Sequence, residues 1–200
     1  MRVRELAVPG AYAYAPEIFP DRRGTFASPY VESAGTAATG HPLFPVRQVS
    51  CSVSARGVLR GVHFTATPPG TAKVVCCPAG EVLDIVVDLR AGSPAFGRWD
   101  SLVLSPATFT SVYLPVGVGH AFLALRDDTV MTYLLSQEYV PANELAVSAL
   151  DPALGLPLPA GLRPVVSERD RGAWTLDEAR AAGALPAYET CRKIEAGFDS

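Results

Sequence analysis

Lysine is nearly missing from this 200-residue chain: 15 of its 17 basic residues are arginine, and the two lysines are Lys73 and Lys193. No 18-residue apolar run exists, so no membrane-spanning helix is expected. No apolar segment follows a basic start at the N-terminus, so a secretory leader is not expected either. The four cysteines (Cys51, Cys76, Cys77 and Cys191) lack CxxC spacing and read as reduced thiols of a cytoplasmic protein. A net charge of −3 offers no electrostatic footprint for nucleic acid or an anionic membrane, so any anion must be held by a local site. Histidine is limited to His41, His63 and His120. No second His stands beside His63, because residue 61 is Gly and residue 65 is Thr. The clustered ligand set of a metal centre is therefore missing, and neither a metal nor a cofactor is expected. There are no internal repeats and no low-complexity tract.

What is present is apolar residues at 48% against 18% charged, enough for a sizeable core, together with 17 Gly and 18 Pro. This composition suits many short strands joined by turns. Residues 1–10 alternate as an opening strand. Asp21-Arg22-Arg23-Gly24 is turn chemistry between strand ends bearing Phe19 and Phe26. Residues 31–41 are compatible with a short helix or a loop. Val46–Ser54 alternates, as does Glu81–Leu89, where Asp84 and Asp88 interrupt an otherwise apolar row. Asp84 is then either in a wetted interior or at a strand end, or it is the partner of a buried cation or His. Pro115–Phe122 is a glycine-rich turn delivering His120 onto a strand, and Val130–Leu135 places Met131, Tyr133 and Leu135 on one face. Residues 174–183 make the best helix, with Thr175 as cap and Gly183 at its end. About ten short strands with little helix predict an all-β sandwich or jelly roll in one domain spanning 1–200.

The stretch Gly57–Val75 carries the densest chemistry. Arg60 and His63 lie three apart on a strand and would face opposite ways, unless Gly61 opens a bulge that re-aims one of them. Pro68-Pro69-Gly70 then turns the chain towards Lys73, whose ordinary alternative is a solvated surface lysine. A His base oriented by a carboxylate, a Lys beside a developing oxyanion and a Tyr proton donor would suit proton abstraction next to a carbonyl. Spacing alone leaves an enzyme and a binding module both open.

Several segments in this order resemble the dTDP-4-dehydrorhamnose 3,5-epimerase family and its antibiotic-sugar branch: Phe19–Phe26, Leu59–Phe64, Pro68–Lys73, Gly80–Arg90, Gly92–Gly97, Leu114–Phe122, Asp151–Gly155 and Ser167–Asp170. The resemblance covers about residues 15–185. It implies a metal-free cupin-type jelly roll (core about 15–160, with a helical tail at about 167–195) that forms a homodimer with an exchanged N-terminal strand. The implied substrate is a dTDP-linked 4-keto-6-deoxyhexose. By resemblance His63 matches the base, Asp170 its carboxylate partner, Lys73 the residue at the 4-keto oxygen and Tyr133 the acid on the opposite ring face. Arg60 and Gln48 match diphosphate contacts, Arg23 and Phe26 nucleotide contacts, and His120 a second His near the sugar. A pairing of Asp84 with His120 is expected from their shared inward placement. The chain departs from the family pattern at Ser28, Ser50 and Glu138, which resembles enzymes acting on deoxy or aminodeoxy sugars and inverting C5 or C3 alone. A 3,4-ketoisomerase, a non-catalytic sugar-nucleotide module and a metal-dependent cupin stand as alternatives.

Overall fold

The computed structural model describes residues 1–198. Its strands in chain order are β1 (Arg2–Glu5), β2 (Tyr12–Ala15), β3 (Ile18–Asp21), β4 (Gly24–Ala27), β5 (Gln48–Ser54), β6 (Leu59–Thr65), β7 (Lys73–Ala79), β8 (Val82–Asp88), β9 (Trp99–Leu104), β10 (Ser111–Leu114), β11 (Val118–Ala124), β12 (Thr129–Leu135) and β13 (Glu144–Ala146). Four short helices accompany them: α1 (Glu32–Thr39), α2 (Glu168–Arg171), α3 (Leu176–Ala181) and α4 (Tyr188–Glu195).

Two antiparallel sheets form the sandwich. One runs β1-β2-β10-β7-β12-β5 and the other β13-β6-β11-β8-β9, while β3 and β4 pair only with each other. This is the all-β jelly roll expected, with short helices at its C-terminal end. The opening strand is shorter than residues 1–10. It is followed by β2, which joins β1 to the six-stranded sheet through β10. Residues 31–41 resolve as helix α1, which Gly40 ends in the left-handed region at φ 83°.

Three apolar clusters explain the strand patterns. Val75, Val86, Val112, Phe122 and Met131 fill the space between the sheets. Leu59, Ile85, Val87, Ala121 and Leu123 lie on the outer face of the five-stranded sheet, where Leu176 and Ala179 of α3 cover them. Tyr14, Val74 and Tyr113 pack outside the six-stranded sheet with Cys191 of α4. Strand β8 is thus covered on both faces, which is why Leu83–Leu89 reads as apolar in both rows. Helix α3 starts where expected: Thr175 Oγ1 accepts from the Glu178 N–H at 3.2 Å, and Glu178 accepts from the Thr175 N–H at 2.8 Å.

Strand β5 inverts the usual polarity. Its inward row is Gln48, Ser50, Ser52 and Ser54, while Val49 (61% exposed), Cys51 and Val53 (64%) point outward. Strands normally bury the apolar row. Here Ser50 and Ser52 of the inner row line a cavity between the sheets, and Val49 and Val53 of the outer row are left exposed.

Candidate active site

The cavity opens between the two sheets and has a volume of about 270 Å³. Five of the candidate catalytic and binding residues line it: Arg60, His63, Lys73, His120 and Tyr133. Arg60 and His63 share a face because β6 carries one residue more than its neighbour. His63 pairs with His120 and Arg60 with Phe122, so three steps on β6 match two on β11. A bulge of this kind reverses the side-chain parity. Gly61, at φ 101°, sits within it.

Two Asp–His pairs result. His63 Nε2 lies 2.6 Å from Asp170 Oδ1, with the carboxyl buried behind the ring. Asp170 comes from α2, whose first turn is capped by Ser167: its hydroxyl accepts from the Asp170 N–H at 3.0 Å. Burial alone would raise the Asp170 pKa. The His63 hydrogen bond and charge, Ser167 and the Gly61 N–H outweigh it and hold the carboxyl below its ordinary range. The second pair is His120 Nε2 and Asp84 Oδ1, also 2.6 Å apart and almost fully buried. The pairing expected from their inward placement is therefore present. Asp84 Oδ2 is buried without a hydrogen-bond partner. Among the described residues no group of three His, Cys, Asp or Glu side chains is arranged to hold a metal ion.

Lys73 is buried rather than solvated. Burial pulls its pKa down, Glu144 pushes it back up, and Arg169 pulls it down further. Tyr133 rises to about 12, chiefly by burial; the Ser52 hydrogen bond opposes this and the Asp84 charge adds to it. The Tyr133 phenol therefore keeps its proton at neutral pH, as a proton donor must.

Gln48 sits at the rim. Its Nε2 donates to Ser50 at 2.8 Å, and its Oε1 accepts from the Tyr139 N–H at 2.8 Å. Arg60 is steadied by Ser54 Oγ at 3.2 Å. Ser50 lines the cavity, whereas Glu138 lines a neighbouring depression with Arg47 and Asn143. Ser28 is exposed and belongs to neither. Arg23 and Phe26 are not brought to the cavity. They lie on the β3–β4 hairpin, where Arg23 pairs with Asp21 and Phe26 is 67% exposed.

The sequence reading passed over Ser52, Tyr139, Glu144 and Arg169, all of which line the cavity. Ser52 had a signal in the inward row of β5. Arg169 is the neighbour of Asp170 and shares its helix. Glu144 had none: β13 is three residues long and brings it beside Thr65, whose hydroxyl donates to it at 3.1 Å.

The arrangement resembles that of known proteins along its whole length. The sequence pattern of the family described as dTDP-4-dehydrorhamnose 3,5-epimerase matches residues 5–178. A dTDP-4-dehydrorhamnose 3,5-epimerase of Mycobacterium tuberculosis is 46% identical over 196 residues, 97% of this chain and 96% of that one. The solved Mycobacterium tuberculosis rmlC epimerase superposes with a TM-score of 0.93 at 44% identity, covering 99% of this chain and 100% of that chain. ChmJ, a 3'-monoepimerase from Streptomyces bikiniensis solved in complex with dTDP-quinovose, gives 0.92 at 42% identity over 98% of both chains.

Proposed function

The chain belongs to the dTDP-4-dehydrorhamnose 3,5-epimerase family, and on that premise we propose that it inverts C3, C5 or both in a dTDP-linked 4-keto-6-deoxyhexose without a cofactor. The observation that carries the reading is the convergence of the His63–Asp170 pair, Lys73 and Tyr133 on one cavity from both sheets.

The 4-ketone of such a sugar acidifies the hydrogens at C3 and C5. His63 removes one of them, and the anionic Asp170 stabilises the imidazolium and fixes the ring. The Lys73 ammonium meets the enolate oxygen, where negative charge develops in a water-poor pocket. Tyr133 returns a proton from the opposite face, which inverts the carbon. Arg60 and Gln48 receive the diphosphate, with Arg169 as a second cation on the same cavity.

The nucleotide contacts assigned to Arg23 and Phe26 require a homodimer, in which the exposed hairpin of one copy reaches the cavity of the other. Two features support this: Phe19 and Phe26 are both exposed on the hairpin, and β5 presents an outward apolar row.

The test is incubation with dTDP-4-keto-6-deoxyglucose in D₂O, followed by NMR. Deuterium is expected at C3, C5 or both, together with inverted product. His63→Asn is expected to lower exchange about 10²–10⁴-fold, the usual worth of a general base. Wild-type protein that leaves both carbons unlabelled would overturn the reading.

A further inference from the structure

We propose that Ser52 is the positioning residue of Tyr133, orienting its phenol towards the sugar and donating a hydrogen bond to the phenolate left when the proton is delivered. The proposal rests on Tyr133 being the acid. Ser52 Oγ lies 3.2 Å from Tyr133 Oη, and among the described residues it is the hydroxyl in hydrogen-bond reach of that oxygen. The other inward groups of β5 have different partners: Gln48 is bonded to Ser50, and Ser54 to Arg60. Directly across from Ser52 in the strand register is Met131, which is fully buried. Ser52 thus stands where the buried core at Met131 meets the cavity, and its hydroxyl is placed to bond Tyr133.

The need for such a donor follows from the surroundings. Burial and the charge of Asp84, one of whose oxygens is unpartnered, disfavour an anion on Tyr133, and the Arg60 charge offsets them only in part. When Tyr133 acts, its O–H bond breaks as a C–H bond forms at the enolate carbon, and the enolate collapses to the ketone. The electron pair left on Oη then accepts the Ser52 O–H as a hydrogen bond. Water afterwards reprotonates Oη and takes up the proton held by His63. Proton removal by His63 does not involve this step, so Ser52 is required for inversion and not for exchange.

The experiment compares wild type, Ser52→Ala, Ser52→Thr, Tyr133→Phe and the Ser52→Ala/Tyr133→Phe double variant in D₂O, reading deuterium uptake and inverted product separately. Ser52→Ala is expected to exchange within about threefold of wild type but to invert about tenfold or more slowly, the worth of a hydrogen bond to a charged oxygen. Ser52→Thr should restore inversion, and the double variant should be no slower than Tyr133→Phe. If Ser52→Ala does not fold, Ser52→Cys, a near-isosteric and weaker donor, carries the same comparison. Wild-type inversion by Ser52→Ala beside a defective Tyr133→Phe would overturn the role of Ser52 and leave the site reading intact. Parallel loss of exchange and inversion in Ser52→Ala would also overturn it. Full inversion by Tyr133→Phe would remove Tyr133 as the acid and Ser52 with it.

Discussion

A side chain at position 61 would run into the backbone oxygen of His120, with the Ala121 Cα 2.8 Å away. The backbone there also has φ 101°, a region L-residues avoid. Gly57 has a similar φ of 85° but open space around it. The pair separates two effects. Gly57→Ala is expected to cost about 1–2 kcal/mol, the conformational penalty alone. Gly61→Ala adds a backbone collision and is expected to cost about 2 kcal/mol more, and to abolish deuterium exchange, because the bulge presents Arg60 and His63 together. Urea unfolding read beside exchange measures both; equal costs for the two variants would refute the collision. The bulge itself was legible, because Gly sits between two residues whose spacing otherwise sends them to opposite faces. Glu144 was not, since nothing in a three-residue strand announces what it will sit beside.

Helix α4 docks through a carboxylate. Glu195 Oε1 accepts from the Tyr113 hydroxyl and from the Val116 N–H, each at 3.1 Å. Burial raises its pKa, and those two hydrogen bonds offset this only in part. A carboxyl whose pKa is raised on folding binds more protons in the native state than in the unfolded one. Its contribution to stability is therefore lost as pH rises from the unfolded value of about 4.3 through the folded value. Glu195→Gln keeps an oxygen for both donors and removes the charge. Its Tm should match wild type near pH 4 and exceed it at pH 7, by about 2–4 °C for each kcal/mol relieved. Calorimetry at the two pH values measures this, and a lower Tm than wild type at pH 7 would contradict it. Helix α3 was readable from its cap, because Thr175 and Glu178 act within one turn. Helix α4 has no side-chain cap, and a residue 82 positions away, Tyr113, bonds its last residue.

At the scale of the molecule, the homodimer proposed above would cover the outward Val49 and Val53 of β5 and the exposed β3–β4 hairpin. Val49→Asp with Val53→Asp is expected to halve the mass in light scattering to that of the 21.1 kDa chain. Activity should fall with it, because each cavity would lose the hairpin of the other copy. A double variant that remains dimeric would place the interface elsewhere. The roles given to Arg60, His63 and Lys73 came from the family resemblance, whereas the strand rhythm, the turns and the β-sandwich class were determined by the sequence itself. They depend on side-chain periodicity and on Gly and Pro geometry, which act within a few residues. The resemblance implied that Asp170 pairs with His63, and inward placement led to the expectation that Asp84 pairs with His120; tertiary structure made both contacts, across 107 and 36 positions of chain. It also decided that Lys73 is buried, that Ser52 meets a phenol, and that Arg23 and Phe26 stand outside the cavity of their own chain. These outcomes depend on how two sheets pack and how strands align. Local pattern does not encode such distances, because strand pairing joins residues by register and not by separation along the chain.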